Sequence, residues 1–394
     1  MPVIDERLLD DLDHLRACDS RDTLRALATG GAQLREAVTL AGDAGIERVA
    51  GGDRPRSVLV SSLGGSAVVA DILEILAEFG SPVPVGVRRN VPLPGWVGAL
   101  DLVVAVSLSG KAPGPLAVAT EAARRGAHLL TVGAEDSPLA AVCAHARGVH
   151  VGVGRGRISS RTSLWSQVTP LLIAADVLGL ASISRAALLA TADRLDEVAE
   201  ACRPSSEAFV NPAKVMALQL SETVPVVLGD NALSGVAATR AAAMMCRTAR
   251  MPATHGELPD AASQVVATFD GPFTAGGGAG VGWPAAHRSE IFADPFLDGP
   301  AQIGLGLLVM RDAYPVLPSP EEMDLAGLTE GVVQTAYDAG VKVATIQAEA
   351  GHPLTRLAEM IAYADFLATY LAIGFSIDPS VSRHITNLRD RTRA

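Results

Sequence analysis

Residues 57–66 read Ser57-Val58-Leu59-Val60-Ser61-Ser62-Leu63-Gly64-Gly65-Ser66. A short β-branched run ends in a glycine pair. A helical spacing then starts through Val69, Ile72, Leu73, Leu76 and Phe79. Strand, glycine turn, helix is the repeating unit of a parallel sheet covered by helices. The unit recurs downstream. Pro84–Val87 and Asp101–Val106 read as strands, the latter ending at Ser107-Leu108-Ser109-Gly110 before a helix through Ala117, Glu121 and Arg125. His128–Val132, closed by Gly133, and Gly148–Val153 complete the first half.

The second half follows the same grammar. Val224–Asp230 reads as a strand running into a turn, followed by a helix through Val236, Arg240 and Met244. Ile303–Val309 and Val341–Ile346 are further strands, and a long helix, Thr355–Ile373, closes the chain's second half. Two similar halves suggest duplication. Upstream, Ile4, Leu8, Leu9, Leu12 and Leu15 recur at helical spacing, as do Leu24, Leu27, Leu34 and Val38. The organisation expected is a helical N-terminal extension (1–50), an α/β domain (51–190), a helical charged linker (191–210) and a second α/β domain (211–394). Thr274–Pro300, with its glycine run, Trp283, His287 and Glu290, breaks the rhythm and reads as either a lid or a surface insertion.

Composition narrows the function. The 394 residues fit two domains better than one. A net charge of −11 disfavours phosphate-backbone contacts, so no nucleic-acid partner is expected. Apolar residues are 49% and aromatics 4%, an aliphatic mix suited to close strand–helix packing. The acidic N-terminus lacks an apolar signal region, and Val168–Ile183 is short for a membrane span. The expectation is a cytoplasmic protein with no membrane partner. Cys18, Cys143, Cys202 and Cys246 form no C-x-x-C pair, so they read as buried or half-buried thiols, with no metal-ligand spacing and no cofactor.

The informative residues lie just past the strands. In an open parallel sheet, ligands bind beyond the carboxyl ends of the strands, where helix N-termini favour an anion. Ser66 lies past one such end and Ser107 and Ser109 past another, and their hydroxyls can donate to phosphate oxygens. Gly64, Gly65 and Gly110 let backbone approach closely. One serine at a helix start is ordinarily an N-cap; two clusters in one sheet point to a phosphate pocket. No G-x-x-x-x-G-K-[ST] loop and no G-x-S-x-G elbow occur.

Gly64-Gly65-Ser66 and Ser107-Leu108-Ser109-Gly110 resemble the sugar isomerase (SIS) domain. More narrowly, the chain resembles the bifunctional phosphoglucose/phosphomannose isomerases, which carry two SIS domains in tandem. Arg161-Thr162-Ser163-Leu164, leading to Pro170, is similar to the family's P-R-A-A-L segment. Asn211-Pro212-Ala213-Lys214 opens the second half as in the family. Gly256-Glu257-Leu258-Pro259 is similar to its N-E-L-P, and Asp378-Pro379 with Ile385 and Leu388-Arg389 to its D-P…I-x-x-L-K. The resemblance spans roughly residues 45–391. It implies two tandem SIS-type α/β domains, each a parallel sheet flanked by helices, a homodimer, and a site between the domains.

The resemblance also implies aldose–ketose isomerisation of a sugar 6-phosphate through an enediolate, with no cofactor. Carried over, Gly65, Ser66, Ser107 and Ser109 hold phosphate and Arg161 lines the site. Lys111 and Ala112 replace the family's Asn-Thr, so the Thr hydroxyl is lost and the Lys111 charge is expected to take its place at the phosphate, and Arg389 replaces a lysine. The catalytic pair is altered. Arg247 stands where the family's base Glu lies, and Ser263 where its ring-opening His lies. Arginine accepts no proton at physiological pH. Glu257, or else His255, is the substitute base, with His287 or Glu290 of the 274–300 segment as the other candidates; Asp71, at a family acidic position, reads as structural. The alternative is a non-catalytic phosphosugar-binding protein, a sensor or regulator.

Overall fold

The computed structural model describes residues 4–274 and 303–393, except 53, 79, 90 and 316 and the side chains of Arg389, Thr392 and Arg393. The described residues form two compact units. The first holds Ala26–Ala199 and His352–Ala358. The second takes its described residues from Met1–Arg25, Glu200–Gly351 and Glu359–Ala394.

The first unit is built on five parallel strands: β1 (Val58–Ser62), β2 (Val85–Arg88), β3 (Leu102–Ser107), β4 (His128–Gly133) and β5 (Val149–Gly152). Their order is β2-β1-β3-β4-β5. Every residue of β1 and β3 is buried. Strands sandwiched on both faces must be continuously apolar or paired, which is why they read as aliphatic runs. Leu59, Val103, Ala105 and Leu129 pack with Val118, Ala119 and Ala122 of helix Pro113–Arg124. The alanines carry that helix close to the sheet, and each buried valine or leucine contributes about 1.5–3 kcal/mol.

The second unit has four parallel strands: β6 (Thr223–Gly229), β7 (Thr254–Glu257), β8 (Gly304–Arg311) and β9 (Lys342–Gln347). Their order is β7-β6-β8-β9. This is the first sheet's order without its last strand. Val226, Leu228, Leu307 and Val309 form the centre of its core with Val332, Val333 and Ala336 of helix Pro320–Asp338. In both sheets the order reverses beside the first strand, between β1 and β3 and between β6 and β8. These are the two topological switch points.

Three features differ from the sequence reading. The described residues of the N-terminal 50 divide between the units, those up to Arg25 with the second and Ala26 onward with the first. The stretch 191–210 opens inside helix Arg185–Ala201, most of which belongs to the first unit. β7 is an additional strand, Thr-His-Gly-Glu, lying mostly exposed at the sheet edge. It offers no β-branched run by which to be read. Helix Pro353–Gly374 is long and apolar enough to cross a membrane, yet 94% of its most apolar window is buried within the protein.

Candidate functional site

At the end of β1 the chain turns through Gly64, held at φ +64°, and a single 3-10 turn, Gly64–Ser66, before helix Val68–Glu78. At the end of β3 it turns through Gly110, at φ +62°. A side chain at either glycine would meet the left-handed penalty. At Gly110 a β-carbon would also collide with Ser137 Oγ, which caps helix Pro138–His145. β1 and β3 are adjacent, with Ser62 opposite Val106, so both turns lie at one end of the sheet.

The structure brings Gly65, Ser66 and Arg161 together. A β-carbon at Gly65 would collide with Ser160 Oγ and press on Arg161 Cγ at 3.2 Å. Ser66 is 4% exposed, and its hydroxyl donates to Gln167 Oε1 at 2.5 Å. Gln167, fully buried on helix Leu164–Val177, donates from Nε2 to the carbonyls of Ser160 (3.2 Å) and Ser163 (2.9 Å). Sequence reasoning passed over both Ser160 and Gln167. The one available signal was an amide in a largely apolar helical run. On the neighbouring turn, Ser107 Oγ accepts from the Ala112 N–H and Ser109 Oγ from the Lys111 N–H, each at 3.3 Å. Ser107 is buried, while Ser109 and Lys111 are exposed.

The remaining sequence candidates belong to the second unit. Helix Ala232–Met244 runs on into a π-helical turn, Met245–Ala249, which carries Cys246 and Arg247. Such turns are rare and concentrate at functional sites. Arg247 is half-buried. Burial, and then the charge of Arg240, holds its guanidinium below the ordinary range. Arg240 itself makes a buried two-point ion pair with Asp365, Nε to Oδ1 at 3.0 Å and Nη2 to Oδ2 at 2.9 Å. Arg250 follows in the left-handed region at φ +60° and donates to the carbonyls of Thr248 (3.0 Å), Asp378 (3.3 Å) and Val381 (2.7 Å). It thereby fastens the Asp378–Val381 segment beside the turn. Cys246 is exposed, a correction to the expectation of four buried or half-buried thiols. Burial pushes the Cys202 thiol up to about 12.

His255 and Glu257 both lie on β7, two residues apart and so on one face of the strand. Both are exposed. His255 Nδ1 lies 3.3 Å from Thr239 Oγ1. The Glu257 carboxylate rests on Gly235 in the first turn of helix Ala232–Met244, where a β-carbon would collide with Oε2 and lie 2.9 Å from Cδ. Only glycine leaves room for it there, and the carboxylate meets the positive end of the helix dipole. Ser263 is exposed on helix Ala262–Ala267. Arg389 falls on helix Arg383–Arg393, but its side chain, like His287, Glu290 and the segment 275–302, lies outside the described residues. Asp71 pairs with Arg89.

The chain is similar to known proteins along most of its length. Residues 209–392 match the bacterial phospho-glucose isomerase C-terminal SIS domain family. A bifunctional phosphoglucose/phosphomannose isomerase of Caldicellulosiruptor bescii is 23% identical over 337 residues, 85% of this chain and 88% of that one. Among solved structures, a hypothetical protein from Thermus thermophilus superposes with a TM-score of 0.67 at 14% identity, covering 98% of this chain and 94% of its own. The C-terminal domain of glucosamine-fructose-6-phosphate aminotransferase from Francisella tularensis does so with a TM-score of 0.60 at 12% identity, covering 91% and 97%. Residues 209–392 are thus similar to the bacterial phospho-glucose isomerase C-terminal SIS domain, and most of the chain is similar to a bifunctional phosphoglucose/phosphomannose isomerase.

Proposed function

We propose that the protein is a phosphosugar aldose–ketose isomerase that binds a hexose 6-phosphate at the β1/β3 switch point. The observation that carries this reading is the pairing of two glycine-serine turns at adjacent strand ends, with Arg161 against Gly65. Those turns offer hydroxyl donors at a helix start, the arrangement that receives a phosphate dianion. Lys111 adds an exposed positive charge beside Ser109.

Isomerisation then needs a proton moved between C1 and C2 and a cation near the enediolate oxygen. Arg161 supplies the cation and always carries its charge. Glu257 is the base, His255 the substitute. A positioned base contributes about 10²–10⁴-fold to such a step. Arg247 favours one other reading. A cation in place of the family's base suits a protein that holds the phosphosugar as a sensor or regulator without converting it.

One experiment separates the two. Purified protein is assayed for interconversion of fructose 6-phosphate with glucose 6-phosphate and mannose 6-phosphate, and its melting temperature is followed with each sugar phosphate. Turnover that falls at least about 100-fold in Glu257→Gln supports the isomerase with that base. A thermal shift without turnover leaves the binding protein. Neither turnover nor shift removes both readings.

A further inference from the structure

The first turn of helix Ala232–Met244 leaves room for one side chain. On one side it meets the end of β6, where a β-carbon at Gly229 would collide with the Gly235 backbone. Gly229 and Glu257 are register partners on β6 and β7, so the Glu257 side chain leaves the sheet beside that contact. Its carboxylate rests on Gly235, where a β-carbon would lie 2.9 Å from both Cγ and Cδ. Gly235 is thus held between strand backbone and a carboxylate. One turn further along the helix, Thr239 Oγ1 lies 3.3 Å from His255 Nδ1. Four helical residues advance about 6 Å, and two strand residues about 6.6 Å. Helix and strand therefore keep step, Gly235 against Glu257 and Thr239 against His255.

We infer that Gly235 is a positioning residue for Glu257: its missing side chain is the seat in which the proposed base is held. This rests on the isomerase reading and says how that reading's base is placed. A methyl added at 235 has two ways out. The helix can lift only by parting its backbone from β6 at Gly229. The Glu257 carboxylate, at the end of a flexible and exposed side chain, swings more easily. The methyl therefore moves the carboxylate and spares the fold. A misplacement of about 1 Å can cost a reaction about 100-fold.

The test measures kcat and KM for interconversion of fructose 6-phosphate with glucose 6-phosphate and mannose 6-phosphate, and the melting temperature, in variants of the full chain. Gly235→Ala folds and lowers kcat about 10- to 100-fold, with KM within about threefold. Glu257→Asp alone also lowers kcat, because its carboxylate retracts by one methylene. In Gly235→Ala/Glu257→Asp the shorter side chain clears the methyl. The double variant then loses no more than Glu257→Asp alone, a departure from additivity that a merely structural glycine does not produce. Gly331→Ala, on helix Pro320–Asp338 with open space around its β-carbon, raises the melting temperature and leaves kcat unchanged. A Gly235→Ala kcat within about twofold of the unaltered protein, or losses that multiply in the double variant, overturns the seat while leaving the isomerase. If Gly235→Ala does not fold, the double variant decides. Folding recovered by Glu257→Asp supports the seat, and failure of both to fold overturns it. No turnover by the unaltered protein overturns the isomerase reading and the seat together.

Discussion

The two sheets share a strand order, yet their switch points carry opposite chemistry. Between β1 and β3 the strand ends run into glycine and serine, with hydroxyl protons available at Ser107 and Ser109. Between β6 and β8 they run into Asp230 and Asp312, both buried. Asp230 Oδ1 accepts from Ser234 Oγ at 2.8 Å and from the Asp312 N–H at 3.0 Å. Asn231 Nδ2 donates to Asp312 Oδ2 at 3.1 Å, and Asn231 and Ser234 also close a capping box. The second crevice is thus a hydrogen-bonded knot around carboxylates, and a phosphate there would meet like charge. Topology offers the crevice twice; the residues at the strand ends decide whether an anion can enter.

The comparison breaks most sharply if the second chemistry is moved to the first site. Ser107→Asp places a carboxylate where the phosphate is proposed to sit. Like-charge contact costs several kcal/mol, so fructose 6-phosphate affinity should fall more than about 100-fold by calorimetry. Asp230→Asn should leave that affinity unchanged. A Ser107→Asp protein that still binds normally would falsify the assignment of the β1/β3 end. Gly110→Ala is the next largest effect. It forces a side chain to φ +62° and against Ser137 Oγ. Strain of this kind costs about 1–3 kcal/mol, read as a lower midpoint in urea, and it should weaken phosphate binding with it.

Much of this contrast could be read in advance, and the rest could not, for definite reasons. β1, β3, β4 and β8 are largely buried on both faces, so their aliphatic runs declare them. The Gly64-Gly65-Ser66 and Ser107–Gly110 turns stand out because glycine and serine directly follow those runs. β7 hid because four mostly exposed edge residues need no pattern. Gln167 hid because its partner Ser66 lies 101 residues away. Asp230 and Asp312 lie 82 apart, and nothing local tells a buried aspartate from a turn aspartate. The division of the N-terminal residues between the units is likewise decided by packing partners distant in sequence.

Asp230 sharpens the contrast through pH. Burial pushes its carboxyl up, and the neighbouring charge of Asp312 adds to the effect. A raised folded pKa means the folded state holds the proton more tightly. The stability this gives is complete below the unfolded value near 3.9 and is lost as pH rises through the folded value. Asp230→Asn keeps an acceptor for Ser234 and Asp312 and carries no charge to desolvate. It should stabilise the protein by on the order of 1 kcal/mol at pH 7, with the gain shrinking as pH falls toward about 4. Urea unfolding at several pH values measures this, and a gain that grows on acidification would refute it.

Lys111 should show the smallest effect, and it asks whether charge or hydroxyls hold the anion. The side chain is exposed, and the structure ties only its backbone N–H to Ser109. An exposed lysine near a bound anion contributes about 0.2–1 kcal/mol and is screened by salt. Lys111→Ala should therefore weaken fructose 6-phosphate binding no more than about fivefold at low salt, and hardly at all near 0.5 M salt. In a chain of net charge −11, a tenfold loss that persists in salt would mean that the lysine, and not the serine hydroxyls, carries the phosphate.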